Sequence, residues 1–179
     1  ILDNTEEKNF LEKQNISLGI VVAYGQILKN DILEITKKGW INIHYSLLPK
    51  FRGADPIQRA IMNNEKATGI SIMKIDEGLD SGPVCNQYSI NILENENSED
   101  LSQRLSVLAS EKILQNIDDI FDNKAHFKEQ DHSKSTYAKK IKKEEGKINW
   151  EDSNLKIIGK INGLYPVSYT HLRAHETWS

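Results

Sequence analysis

The chain has 179 residues, 38% of them apolar and 27% charged. That composition predicts one globular domain with a real core and excludes an intrinsically disordered chain. A net charge of −3 gives no overall positive field, so any contact with RNA has to rest on a local basic patch or on a part outside this sequence.

The single cysteine, Cys85, excludes a disulfide framework and a cysteine zinc cluster, and it fits a reducing cytoplasm. No stretch reaches the ~20 apolar residues of a membrane span, so no membrane contact is expected. The opening "ILDNTEEKNFLEKQN" lacks a basic segment followed by an apolar core, so no secretory signal is read there. Without an initiator Met it reads as a mid-protein start.

"FLEKQ" (10–14) predicts the end of a helix. "LGIVVAY" (18–24) is a continuous β-branched run that suits a strand buried on both faces. In "GQILKNDILEITKKG" (25–39), Ile27, Leu28, Ile32, Leu33 and Ile35 recur at helical spacing, with Gly39 as the stop. "WINIHYS" (40–46) is the next strand. Strand, helix, strand is a βαβ unit, hence a parallel sheet with a right-handed crossover.

A Pro/Gly loop (49–56) leads into a helix, "PIQRAIMNN" (56–64), with Pro56 at its first position. "TGISIMKI" (68–75) and "GPVCNQYSINI" (82–92) predict strands joined by the turn "DEGLDSG". The longest helix spans 97–123, with Ser98 as its cap and Leu101, Leu105, Leu108, Ile113, Ile117 and Ile120 as its apolar stripe. Residues 125–131 suggest a short strand. Residues 135–152 suggest a polar loop with a short helix, and 154–164 a helix ending at Gly163. The segment "KKIKK" (139–143) is either a solvated helix face or a phosphate contact.

The last residues, "VSYTHLRAHETWS" (167–179), have no usable periodicity. "VSYTHLRAHET" resembles the translation of a transposase adapter from sequencing libraries, so this stretch is read as a non-native tail. His171 and His175 within it are two ligands without a third, and no metal is expected.

The pattern that carries chemistry is "NIHYSLLPKFRGADPIQR" (42–59). Side chains alternate along a strand, so Asn42, His44 and Ser46 share one face with Trp40, while Ile41, Ile43 and Tyr45 take the other. Pro49 ends the strand. The polar trio therefore sits near the carboxyl edge of a parallel strand, where open α/β sheets bind ligands. A histidine there moves protons near neutral pH, and an asparagine donates to an oxygen gaining charge. Together they suit acyl-type transfer through a tetrahedral centre. On spacing alone, a satisfied sheet histidine fits equally. "KIDEGLDSG" (74–82) is either a plain acidic hairpin turn or a loop whose backbone approaches a ligand, with Asp80 aimed at the histidine.

"VVAYGQIL", "NIHYSLLPKFRGADPIQRAI", "TGISIMKIDEGLDSGPV" and "STYAKKIKKEEGKINW" occur in that order. They resemble the catalytic domain of the methionyl-tRNA formyltransferase family, within the folate-dependent formyltransferases, over residues 18–166. The resemblance implies a Rossmann-like α/β fold with an open, mostly parallel sheet flanked by helices and its first βαβ unit missing. It divides the chain into a partial catalytic domain (1–134), a connection toward a missing C-terminal barrel domain (135–166) and the tail.

The resemblance also implies Asn42, His44 and Asp80 as catalytic residues. It places the folate pocket at Tyr24, Gly25, Gln26, Ile27 and Leu28 and at Ile75, Asp76, Glu77, Gly78 and Leu79, and acceptor contacts at Ser46, Arg52 and Gly53. The donor would be 10-formyltetrahydrofolate, the acceptor the α-amine of initiator methionyl-tRNA, and the enzyme a cytoplasmic monomer. Sugar-nucleotide formyltransferases share parts of these segments, so an amino-sugar acceptor stays open. So does a non-catalytic folate- or RNA-binding fragment. Tyr45 stands where the family often has a small residue or Pro, and it is expected to point away from Asn42 and His44 while narrowing the pocket rim.

Overall fold

The computed structural model describes residues 5–25 and 27–166. Helix α1 (Thr5–Lys13) leads to strand β1 (Gly19–Val22), the short helix α2 (Asn30–Leu33) and strand β2 (Trp40–His44). The two-residue strand β3 (Arg52–Gly53), helix α3 (Pro56–Met62) and strands β4 (Ala67–Lys74) and β5 (Val84–Asn91) follow. The chain continues through helix α4 (Ser98–Phe121), strand β6 (Tyr137–Ala138) and helix α5 (Asn154–Gly163).

The main sheet has the order β1-β2-β4-β5. β1 and β2 are parallel, with Val21 beside Asn42, which is the expected βαβ pairing. β2–β4 and β4–β5 are antiparallel. The described sheet is therefore mixed, and its parallel part is the β1–β2 unit. For β4–β5 the cause is connection length: residues 75–83 join the two strands directly, and a short link returns a strand antiparallel to its neighbour. A second, two-stranded sheet pairs β3 with β6 in parallel.

The two faces of β2 do different work, as its alternation predicts. Ile43 packs with Ile57, Ile61, Ile70, Leu101, Leu105 and Ala109, between the sheet, α3 and α4. Ile41 packs with Ile72 and Ile120. On the opposite face Trp40 packs on Leu28 and Ile32 and donates its indole N–H to Ile32 O at 3.0 Å. β4 is buried over almost its whole length, as a central strand covered on both faces should be.

Four local expectations change. β1, read as buried on both faces, leaves Ile20 and Val22 exposed. The periodic segment 25–39 forms only α2. Ala23 and Gly25 adopt positive φ of 50° and 69°, so the chain turns away after β1, and residues 27–29 have no regular structure. Leu28 and Ile32 still bury, as their spacing requires, but Ile27 is exposed. The cap of α4 is Asn97, whose side chain accepts from the N–H groups of Glu99 and Asp100. Ser98, the expected cap, instead donates its hydroxyl to Tyr165 O at 2.8 Å. The strand expected at 125–131 reduces to one bridge between Lys128 and Val84. Gly39 has φ +82°, in the left-handed region its role as a stop demands. Pro56 opens α3 as read from the sequence.

Arg59 on α3 ties down the segment after β6. It grips the Glu145 carboxylate through two N–H groups at 2.7 and 2.9 Å and donates to Lys139 O. This bidentate bond, with the Lys142 N–H, holds the Glu145 carboxyl at about 2, down from 4.5. A depressed carboxylate contributes stability above its unfolded value and loses it as pH falls toward the folded value. Glu145→Gln should therefore lower the urea midpoint at pH 7, and its deficit against the parent should narrow steadily from pH 5 to pH 3. Leu105→Ala, which empties a fully buried site under the sheet, should cost ~2–5 kcal/mol of unfolding free energy. Leu114→Ala, on the exposed side of the same helix, should stay within ~0.5 kcal/mol.

Candidate active site

β2 delivers Asn42 and His44 to the carboxyl edge of the sheet, and the loop after β4 brings Asp80 to the same place. Between them and the turn after β1 lies an open cleft of about 350 Å3. Its walls include Val21, Leu28, Met73 and Ile75, and Asn42, His44 and Asp80 lie together on its lining.

Asp80 is the meeting point. Asn42 Nδ2 donates to Asp80 Oδ1 at 3.2 Å, and Gly53 N–H donates to Asp80 Oδ2 at 2.8 Å. His44 Nδ1 stands 3.6 Å from Asp80 Oδ2, close enough for an ion pair and too long for a hydrogen bond. His44 is 5% exposed, and its Nε2 lies 2.8 Å from Phe51 O. A carbonyl only accepts, so Nε2 carries the hydrogen and Nδ1 is the ring position left facing Asp80. Asp80 itself has φ +49°. A non-glycine residue there costs ~1–2 kcal/mol and must be held by its surroundings. Gln130 supplies part of that hold, donating from Nε2 to Asp80 O at 2.9 Å and to Gly82 O at 2.7 Å.

The loop carrying Asp80 is ordered from within. Asp76 accepts from Gly78 N–H and from the Ser81 hydroxyl. Glu77 accepts from Asn30 Nδ2 at 2.8 Å, bridging this loop to the start of α2.

Of the residues expected to form the folate pocket, Tyr24, Gly25, Ile27, Leu28, Ile75, Asp76, Gly78 and Leu79 line the cleft. Glu77 is spent on Asn30 and does not line it, and Gln26 lies outside the described residues. Of the expected acceptor contacts, Gly53 reaches the cleft. Ser46 is buried and donates to Lys50 O, and Arg52 is buried against Gln130 and His132. Neither of those two lines the cleft. Tyr45 packs on the Ile43 side of β2, away from His44, and also borders the cleft; burial pushes its phenol above the ordinary range. His171 and His175 lie outside the described residues, and among the described ones no cluster of metal-ligating side chains occurs.

The sequence reading missed Gln130, Phe51 O and the Gly53 N–H as partners of the site. Gln130 lies 50 positions from Asp80, so no local spacing could have announced it.

This fold, with an open cleft at the strand edge, is that of the Rossmann-like formyltransferases. Residues 2–117 match the family described as formyl transferase, and residues 140–178 match its C-terminal domain. The chain belongs to the formyl transferase family. The second match extends past residue 166, into a stretch outside the described residues. A curated relative from Pelagibacter ubique, a methionyl-tRNA formyltransferase, is 60% identical over 91% of this chain and 53% of its own length. The chain thus spans about half the length of that relative. The solved sugar 3N-formyl transferase WlaRD, crystallised with dTDP and 5-N-formyl-THF, superposes with a TM-score of 0.74 at 25% identity, covering 86% of this chain and 57% of its own. The N-formyltransferase of Helicobacter canadensis, complexed with folinic acid and dTDP-3-aminofucose, gives 0.70 at 28%, covering 77% and 51%. Among the described residues no helix is long and apolar enough to cross a membrane.

Gly53 presents its N–H to Asp80 at φ +114°, and an added Cβ would lie 2.8 Å from Ala138 O. Gly53→Ala should cost ~1–3 kcal/mol in urea unfolding. Gly146→Ala, which meets nothing within 4 Å, should be neutral or stabilising by up to ~1 kcal/mol.

Proposed function

We propose that this chain carries the catalytic centre of an enzyme that moves a formyl group from 10-formyltetrahydrofolate to the α-amine of initiator methionyl-tRNA. One observation carries the reading: Asn42, His44 and Asp80 converge at the lining of the cleft. The 60% identity to a curated methionyl-tRNA formyltransferase supports the acceptor.

The cleft suits the donor. Its wall is largely apolar, from Val21, Ile27, Leu28, Met73, Ile75 and Leu79, and a flat ring system buries well there.

The chemistry then follows from the three side chains. The acceptor amine attacks the formyl carbon, a C–N bond forms, and the carbonyl oxygen takes the electron pair. An amide NH2 has two donors. One of Asn42's faces Asp80, and the other stabilises the oxyanion. The amine's proton passes to Nδ1 of His44, directly or through one water. The imidazolium so formed lies beside the Asp80 carboxylate, which offsets its charge. Collapse of the tetrahedral centre breaks the bond to the folate nitrogen, and that nitrogen receives the proton as it leaves.

A polyanionic acceptor has further support. The exposed Lys139, Lys140, Lys142 and Lys143 are hooked to the cleft wall, because Ile141 N–H donates to Asp55 at 2.6 Å and Asp55 lines the cleft. An amino-sugar nucleotide is the second reading, favoured by the two solved sugar formyltransferases. In a chain extended to the length of its relatives, charged initiator tRNA should be formylated and amino-sugar nucleotides should not; the reverse result gives the second reading. Folate-analogue binding without transfer to either acceptor would mark a non-catalytic fragment.

His44→Ala and Asp80→Asn should each lower the turnover number ~10²–10⁴-fold, with folate-analogue binding retained by calorimetry. Asn tolerates the left-handed backbone of position 80. Near-normal turnover in both variants would reject the site.

A further inference from the structure

Among the described residues, the buried Arg52 has no carboxylate partner. It is 3% exposed, and its Nε and Nη2 donate to a single oxygen, Gln130 Oε1, at 3.1 and 2.7 Å. Nη2 also lies 3.0 Å from His132 Nδ1, which accepts because a guanidinium only donates. A guanidinium out of water with neutral partners is expensive unless its position serves something else.

Gln130 shows what it serves. The side chain is 8% exposed, and every polar position of its amide is used. The oxygen takes both Arg52 donors, one N–H goes to Asp80 O at 2.9 Å, and the other to Gly82 O at 2.7 Å. Arg52 precedes Gly53 on β3, and Gly53 N–H holds Asp80 Oδ2. The residue Asp80 is thus gripped twice from the same strand. Gly53 holds its carboxylate, and Arg52 holds its backbone through Gln130. Such a grip is what a left-handed aspartate requires to keep one side-chain direction.

We infer that Gln130, oriented by the buried Arg52, is a positioning residue: it fixes the backbone of Asp80 so that the carboxylate faces His44 and Asn42. The inference rests on the catalytic reading of Asp80 proposed above. It also gives Arg52 a different task from the acceptor contact expected from sequence.

Gln130→Glu separates this role from a merely structural one. A carboxylate keeps an acceptor for Arg52, and even strengthens that bond. It loses both donors and turns lone pairs toward Asp80 O and Gly82 O. If the network only staples β3 to residue 130, the variant folds and works. If it positions Asp80, the fold survives and catalysis suffers. In the full-length enzyme, Gln130→Glu should unfold cooperatively and lower kcat about 10–100-fold, with KM for donor and acceptor within about twofold of the parent. The double variant Asp80→Asn/Gln130→Glu should be no slower than Asp80→Asn alone, because the grip has nothing left to position.

Near-normal kcat in folded Gln130→Glu, beside an inactive Asp80→Asn, would overturn this inference alone. Near-normal turnover in Asp80→Asn would overturn the catalytic reading of Asp80 and this inference with it. If Gln130→Glu does not fold, Gln130→Asn takes its place in the same comparison. One methylene shorter, it cannot span Arg52 and the loop carbonyls together.

Discussion

A carboxylate withdrawn from water has to be met by donors, and the arrangement around Asp80 follows from that constraint. Its side chain is only 16% exposed. Its donors come from separate parts of the chain: the amide of Asn42 on β2 and the N–H of Gly53 on β3. β3 can offer that N–H only because β6 pairs along it, with Arg52 N–H bonded to Thr136 O and Ala54 N–H to Ala138 O. The small second sheet is therefore what turns a loop after β2 into a fixed wall of the cleft. Glycine at 53 follows from the same crowding, since Ala138 O leaves no room for a Cβ.

The strand that holds the histidine is anchored in the same economical way. The chain leaves β2 at His44 and runs over buried Ser71, whose hydroxyl donates to Ser46 O and accepts from Leu48 N–H and Gln87. Phe51 then returns its carbonyl to His44 Nε2. One residue of the exit loop thus sets which ring nitrogen stays available toward Asp80. Local hydrogen bonds between loop and strand settle the tautomer before any substrate is involved.

Much of this was legible in the sequence, for definable reasons. Alternation is a strict property of strands, so Trp40, Asn42 and His44 could be placed opposite Ile41 and Ile43 by counting. Proline at the head of α3 and glycine at 39 are backbone statements written in single residues. Counting failed where an element stopped. Ser46 keeps the parity of His44, yet β2 ends at His44, and beyond it the hydroxyl bonds Lys50 O within the exit loop. In 25–39 the apolar spacing marked Leu28 and Ile32 for burial, but it told neither that Ile27 stays exposed nor that the backbone would turn at Ala23 and Gly25 to line the cleft. The burial of Arg52, away from the cleft lining, was hidden for a third reason. A buried arginine and an acceptor-binding arginine look alike in one sequence, and its partner Gln130 lies 78 positions away.

The same geometry bears on how far fold alone can carry function. The chain superposes on two solved N-formyltransferases at TM-scores of 0.74 and 0.70, although the curated relative from Pelagibacter ubique is a methionyl-tRNA formyltransferase. On the catalytic reading proposed above, a frame shared across acceptors has to place only what the transfer itself needs: an amide, an imidazole and a carboxylate around one carbon. In this chain Asn42 and His44 hang from the edge of β2 and Asp80 from one loop, and that loop is braced by β3 and residue 130. The acceptor contacts proposed above lie further along the same cleft lining. There Asp55 and α3 meet the lysine-bearing segment, which Arg59 and Glu145 fasten in place. On that reading chemistry and acceptor choice share one frame, because β6, which lets Gly53 hold Asp80, runs directly into the lysine-bearing segment.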